Sequence, residues 1–210
     1  MHWLVAPAGA IVAGQIDDFE NNTTMGWRHG SAFSPTAPTN APDGGPNGSG
    51  DAYVSVGSTG TGGAGSMLAM LNTAQWTGNY TAAGVKAIRA DVANFGTGPL
   101  HIRLGLADPT RSLHQFVSTN AHVVPADGTW RRVAFNLTTT DLTRVAGTFS
   151  LAQLLAGVGE ARILSRSSGP GWTGDAIEAA LGADNIEALP EVVGVAPLTW
   201  SRVKSLFAAE

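Results

Sequence analysis

The sequence predicts an all-β sandwich, and three observations carry that prediction. Apolar residues make up 43% of the chain and recur at every second position in several short runs. Turn-forming clusters separate those runs, drawing on 27 glycines and 11 prolines among 210 residues. No repeated succession of strand and helix patterns runs along the chain, which argues against a parallel α/β architecture. The length suits one domain with a two-layer core.

Taken in order, residues 15–20 open the body as a short strand, and Met25-Gly26-Trp27-Arg28 follows a polar turn. Residues 31–50 hold too much proline, glycine and asparagine for regular structure and read as a long loop. Strands are expected at 52–56 and 66–71, on either side of a glycine-rich loop at 58–65. Periodicity leaves 66–71 open between strand and helix; its flanking glycine and Trp-Thr-Gly turn decide for strand. In 86–95, Ile88, Ala90 and Val92 alternate with Arg89, Asp91 and Ala93. The cleanest alternation comes next, with Leu100, Ile102, Leu104 and Leu106 set against His101, Arg103 and Gly105. Asp108-Pro109-Thr110 turns the chain into 113–124, and Asp127-Gly128 gives a hairpin signal ahead of a strand at 130–137. Ser150 caps one helix with the stripe Leu151, Leu154, Leu155 and Val158, stopped by Gly159. Strands at 161–164 and 184–189 close the sheets. Trp27, Trp130 and Phe135 fall in strands and are assigned to the core.

Composition also excludes. With 13% charged residues and a net charge of −4, no basic surface awaits nucleic acid. The lack of cysteine removes disulfides and thiolate metal sites. No apolar run approaches the ~18–20 residues that span a bilayer, so membrane insertion is not expected. Residues 1–14 have the make-up of a signal-peptide remnant, with a small apolar run at 4–10 and the A-x-A pattern Ala8-Gly9-Ala10. A secreted domain over 15–189 follows from that reading. The tail, 190–210, carries Trp200, Val203 and Phe207 on one helical stripe behind Thr199, an amphipathic segment that docks on its own domain or on a partner chain.

The common hydrolase and nucleotide motifs are missing, and Gly60 to Gly65 matches a dinucleotide fingerprint without the helix that motif requires. No closely spaced carboxylate ladder suggests glycan hydrolysis. The binding candidates are outward-facing polar residues. His101 and Arg103 leave the core strand on its solvent side, and closing the Asp108 turn as a hairpin brings Arg103 near His114. Arg103 offers a planar fork of donors, and either histidine adds a hydrogen bond. Trp172, in the loop 169–174, is the best candidate for an exposed ring.

Two end motifs carry a resemblance. Asp17-Asp18-Phe19-Glu20 with Trp27, and the closing Ala183-Asp184-Asn185-Ile186, resemble the opening and closing strands of family 11 carbohydrate-binding modules and related galactose-binding-like jelly rolls. The resemblance covers about residues 15–189. It implies a jelly roll whose first and last strands meet, and a secreted, non-catalytic module for a polysaccharide or cell-surface glycan. It also implies a structural calcium on Asp18, Glu20 and Asp184, with carbonyls added by the loop 48–51. The row of tyrosines such modules carry on their binding strands has no counterpart here. Two other functions remain open at this point: an adhesive or structural extracellular protein without a small ligand, and a jelly-roll polysaccharide lyase or hydrolase.

Overall fold

The computed structural model describes residues 10–30, 34–110 and 113–194. Most of the expected signal remnant and the whole amphipathic tail segment lie outside these residues.

Two antiparallel six-stranded sheets face each other. The first runs β2 (Thr39–Ala41), β3 (Tyr53–Thr59), β12 (Glu178–Leu189), β5 (Ala87–Asn94), β9 (Arg131–Asn136), with β1 (Ile16–Asp17) also paired to β12. The second runs β10 (Leu142–Ala146), β7 (Gln115–Ser118), β6 (Leu100–Ala107), β11 (Glu160–Ser165), β4 (Ala69–Asn72), with β8 (His122–Val124) also on β6. Between the sheets lie Leu100, Ile102, Leu104 and Leu106 from β6, facing Val54, Val56, Ile88, Leu181 and Ile186 from the first sheet. The expected alternation in β6 is therefore the alternation of the core. Helix α1 (Leu151–Leu155) begins with a capping box in which Ser150 and Gln153 satisfy each other's backbone N–H, and Leu151 and Leu154 face inward.

The first and last strands meet as the end motifs implied. Ile16 pairs with Glu187 and Asp17 with Ile186. On the same edge of β12, β3 takes residues 178–183. Asp184 thus falls at the junction where β3 has ended and β1 has not begun. A bulge against β5 lies just there, between Asp184 and Glu187, and Asn185 takes φ 48°. Asparagine tolerates that left-handed conformation better than any branched residue.

Several expectations are corrected. The Asp127-Gly128 turn does not close a hairpin; it carries the chain from β8 in the second sheet to β9 in the first. Local turn chemistry specifies a reversal, but core burial on both sides decides which sheet each arm joins. The region 113–124 divides into β7 and β8, both paired to the same edge of β6. The loop 31–50 contains β2, an edge strand bonded only to β3, where unpaired backbone is tolerated and proline-rich flanks do no harm. Strand β10 was not anticipated, because its burial pattern does not alternate cleanly. Trp27 and Phe135 are core residues, whereas Trp130 lies outside, on the solvent face of the first sheet.

One buried polar group anchors the N-terminal strand. Asp17 is 1% exposed, and its Oδ2 accepts the indole N–H of Trp27 (2.7 Å) and of Trp76 (2.6 Å) and an amide N–H of Gln75 (3.1 Å). Burial raises its pKa, while the two indoles and the glutamine, by bonding the charged form, pull it back.

Candidate functional site

Along β6, residues 101, 103 and 105 face away from the core. At Gly105 the missing side chain is replaced by a ring from elsewhere: a Cβ there would lie 2.9 Å from Cζ3 of Trp172. Arg162 is the register partner of Gly105 on β11, and its guanidinium carbon sits 4.3 Å from the Trp172 ring centroid. The same guanidinium donates to the Trp172 carbonyl (2.9 Å) and pairs with the buried carboxylate of Glu160 (2.7 Å). The half-buried indole therefore rests an edge on Gly105 and sets one face against the Arg162 guanidinium.

The loop that presents Trp172 is latched at its base. Asp175 accepts from the backbone N–H (2.7 Å) and hydroxyl (2.8 Å) of Ser167, and Arg166 donates to the Thr173 carbonyl (3.0 Å). Next to it lies a depression of about 210 Å³, bordered by Arg162, Thr173, Met67, Leu71 and His29. His29 is buried and bonds Ser34 through Nδ1, while its Nε2 has no partner among the described residues. Desolvation lowers its pKa, which keeps the ring neutral.

The other sequence candidates separate. His101 is half-buried on the same face as Trp172. Arg103 shares that face but is 5% exposed, and three of its N–H donors go to the carbonyls of Arg166 (2.9 Å), Ser118 (2.8 Å) and Thr119 (2.9 Å). It is a strut that ties the ends of β7 and β11 to the middle of β6. His114 is not its neighbour either: β6 and β7 pair Ala107 with Gln115, so His114 falls beside Asp108. There it stacks on Phe149 (3.5 Å between centroids) and accepts from the Thr148 backbone (3.1 Å). Sequence reasoning missed Arg162 and the role of Gly105. The signal was present, since a glycine inside an otherwise regular strand marks a close approach.

At the opposite sheet, Asp184 is 1% exposed and its Oδ1 is buried with no hydrogen-bond partner among the described residues. Desolvation first, and then the charges of Asp51, Asp91 and Glu20, push its pKa up to about 7. Glu20 reaches this junction by bonding the Ala52 backbone N–H (2.9 Å), and Asp51 holds Asn47 (2.7 Å to its N–H). Asp18 stands apart: it is exposed and is not among the charges acting on Asp184. An orphaned acid oxygen among other acids suits a hard cation. Among the described residues, though, no three acidic or histidine side chains stand close enough to form a ready-made metal cluster, so backbone carbonyls and water would complete such a set.

This arrangement is set on a known scaffold. It has the jelly-roll fold of the family 11 and family 28 carbohydrate-binding modules. A family 11 module from Clostridium thermocellum, in complex with a β-1,3-1,4-mixed-linked tetrasaccharide, is similar at TM-score 0.53 and 12% identity, over 85% of this chain and 96% of that one. A family 28 module specific for non-crystalline cellulose is similar at TM-score 0.51 and 16% identity, over 88% and 99% of the two chains. An exo-β-agarase is similar at TM-score 0.61 and 12% identity; the match takes in 86% of this chain but only 25% of the agarase. No family model matches the sequence. The search of curated proteins found no match either. Among the described residues no helix is long and apolar enough to cross a membrane.

Proposed function

We propose that the protein is a non-catalytic polysaccharide-binding module acting outside the cell, with the polymer lying across Trp172 and the adjoining depression on the second sheet. The observation that carries this reading is the Trp172 ring, held over Gly105 by Arg162 yet still half-open to solvent. A pre-fixed ring stacks on the apolar face of a sugar with little ordering cost. The neutral His29 and its unpartnered Nε2 supply a polar contact at the edge of the depression. The carboxylates beside the ring are engaged, Glu160 buried and paired to Arg162 and Asp175 holding Ser167, which suits binding better than acid–base chemistry. The modules of like fold support the ligand class, and the agarase adds agarose to the polymers to be tried.

A structural calcium is part of the same proposal. Asp184 would hold it where β3 gives way to β1, with backbone carbonyls and water completing the set, and the ion would offset the repulsion that now burdens Asp184.

Affinity electrophoresis through mixed-linkage β-glucan, soluble cellulose derivatives and agarose tests the binding reading. Retardation in at least one gel is expected, with Trp172→Ala weakening it by about tenfold, the equivalent of roughly 1.4 kcal/mol. Migration unaltered by every polymer would refute the function. Retardation that Trp172→Ala leaves untouched would remove this face as the site.

A further inference from the structure

The outer face of the first sheet carries rings that the core does not use. Tyr53 of β3, Phe95 just after β5 and Trp130 just before β9 converge over Gly182 of β12. A Cβ at Gly182 would lie 2.8 Å from Phe95, 2.9 Å from Trp130 and 3.2 Å from Tyr53, so only glycine fits beneath them. Trp130 meets Tyr53 and Phe95 edge to face, at centroid distances of 5.2 and 6.0 Å. Its indole N–H is tied to the Gly44 carbonyl (3.0 Å), which fixes the ring. A single ring suffices to shield the strand backbone at a glycine. Three rings, with Phe95 43% exposed, leave apolar area facing solvent.

Trp130 also walls a depression of about 390 Å³ whose other sides include Asn47, Arg89, Asp91, Arg132 and Glu187. Its charges are all matched. Arg132 holds both oxygens of Asp91 (2.8 Å each), and Arg89 pairs with Glu187. Arg132 is nonetheless 60% exposed along its side chain, so its outer donors face the solvent. The surface therefore joins fixed ring area to planar donors and acceptors with no net charge.

We infer that this face is a second carbohydrate site, on the other side of the sandwich from Trp172, and that it takes a neutral pyranose. A pyranose has an apolar C–H face to lay on a ring and equatorial hydroxyls at its rim. Those hydroxyls bond to paired ions without disturbing the charge balance. A uronic acid or sulfated sugar would need an unpaired cation. It finds none here among the described residues. This inference rests on the polysaccharide-binding reading for its ligand class but not on the Trp172 face. Two sites on opposite faces would let one molecule bridge two polymer chains, or bind one chain with avidity.

The test is titration of the ¹⁵N-labelled protein with cellopentaose, a mixed-linkage β-glucan tetrasaccharide and agarotetraose, with hexagalacturonate as the acidic control. The indole N–H signals of Trp130 and Trp172 report the two faces separately, and the buried Trp27 and Trp76 serve as still references. The expected result is that at least one neutral sugar shifts the Trp130 signal, with Phe95→Ala weakening that response about tenfold while the Trp172 response persists. Phe95 is surface-exposed, so the variant keeps the fold; unchanged Trp27 and Trp76 signals verify this. If neutral sugars move Trp172 alone, the second site is overturned and the first stands. If they move Trp130 alone, the second stands and the first falls. A Trp130 signal that no neutral sugar moves, or that only hexagalacturonate moves, overturns the inference.

Discussion

Asp17 and Asp184 lie on paired strands of the same sheet, and each is 1% exposed. Burial raises the pKa of both, but their partners differ. Asp17 gathers three N–H donors onto a single oxygen, two from indoles that form part of the core. Asp184 is bonded by Asn185 (side-chain amide 2.9 Å from Oδ2), leaves its other oxygen without a partner among the described residues, and faces three further acids. The first is a satisfied polar group that pins an end strand to the core. The second is an unsatisfied one at a gap between strands, and it destabilises the fold unless a proton or a cation arrives. Burial alone therefore says nothing about whether an acid supports structure or awaits a ligand. Its partners decide.

The largest expected effect in this comparison comes from Asp17→Ala. Two buried indole N–H groups lose their acceptor, at roughly 1–3 kcal/mol each, so urea unfolding should show a loss of roughly 3–5 kcal/mol. The loss should be equal in calcium and in chelator. A loss that depends on calcium would erase the distinction between the two acids.

Next in size is the cation effect at Asp184. Calcium at a hundred times its Kd should stabilise the protein by about 2.7 kcal/mol, seen as a higher melting temperature that chelator reverses. Asp184→Asn should remove the calcium dependence. Identical melting curves with and without calcium would leave Asp184 as a buried acid without an ion.

Arg103→Ala offers a comparable figure on the second sheet. Three carbonyls lose their donor, and a stability loss of roughly 1–3 kcal/mol is expected with polymer retardation in affinity gels unchanged. Weakened retardation at intact stability would return Arg103 to the binding face.

A further effect is the pH dependence of the metal-free protein. Asp184 has a folded pKa of about 7, above its unfolded value, so the native state holds a proton that the unfolded chain has already released. Stability without metal should therefore fall as pH rises from about 4 to 7, contributing at most ~1.4 kcal/mol per pH unit. Asp184→Asn should lack that contribution, and saturating calcium should suppress it. Chelated melts at pH 5 and 7 that differ no less in the variant would show that other groups set the slope.

The sandwich was legible because alternation reports which side of a strand is buried, as Leu100 to Leu106 show. The meeting of the first and last strands was legible from the acidic end motifs. Partnership was less so. Asp127-Gly128 announces a turn but not that its arms enter different sheets, and Trp130 carries no mark of the glycine on another strand that seats it outside the core. The cation junction shows the limit most clearly. Asp17 and Asp18 are adjacent, yet the first enters the core and the second stays in solvent, while Phe19 takes φ 58° and Glu20 bonds the Ala52 backbone. The loop 48–51 was expected there for its carbonyls, but that the Asp51 charge acts on Asp184 emerges only from the fold.

The place of β12 has a consequence in time. This strand is bonded to β3 and β1 along one edge and to β5 along the other, so it divides the first sheet. Before residues 178–189 are available, β2 with β3 and β5 with β9 are separate pairs, and two-stranded ribbons are marginal by themselves. The pairings that unite them span long stretches of chain, which makes closure a late and slow event. Any partial product of synthesis or proteolysis that lacks this strand should expose the apolar inner faces of β3 and β5 and require a chaperone or meet aggregation.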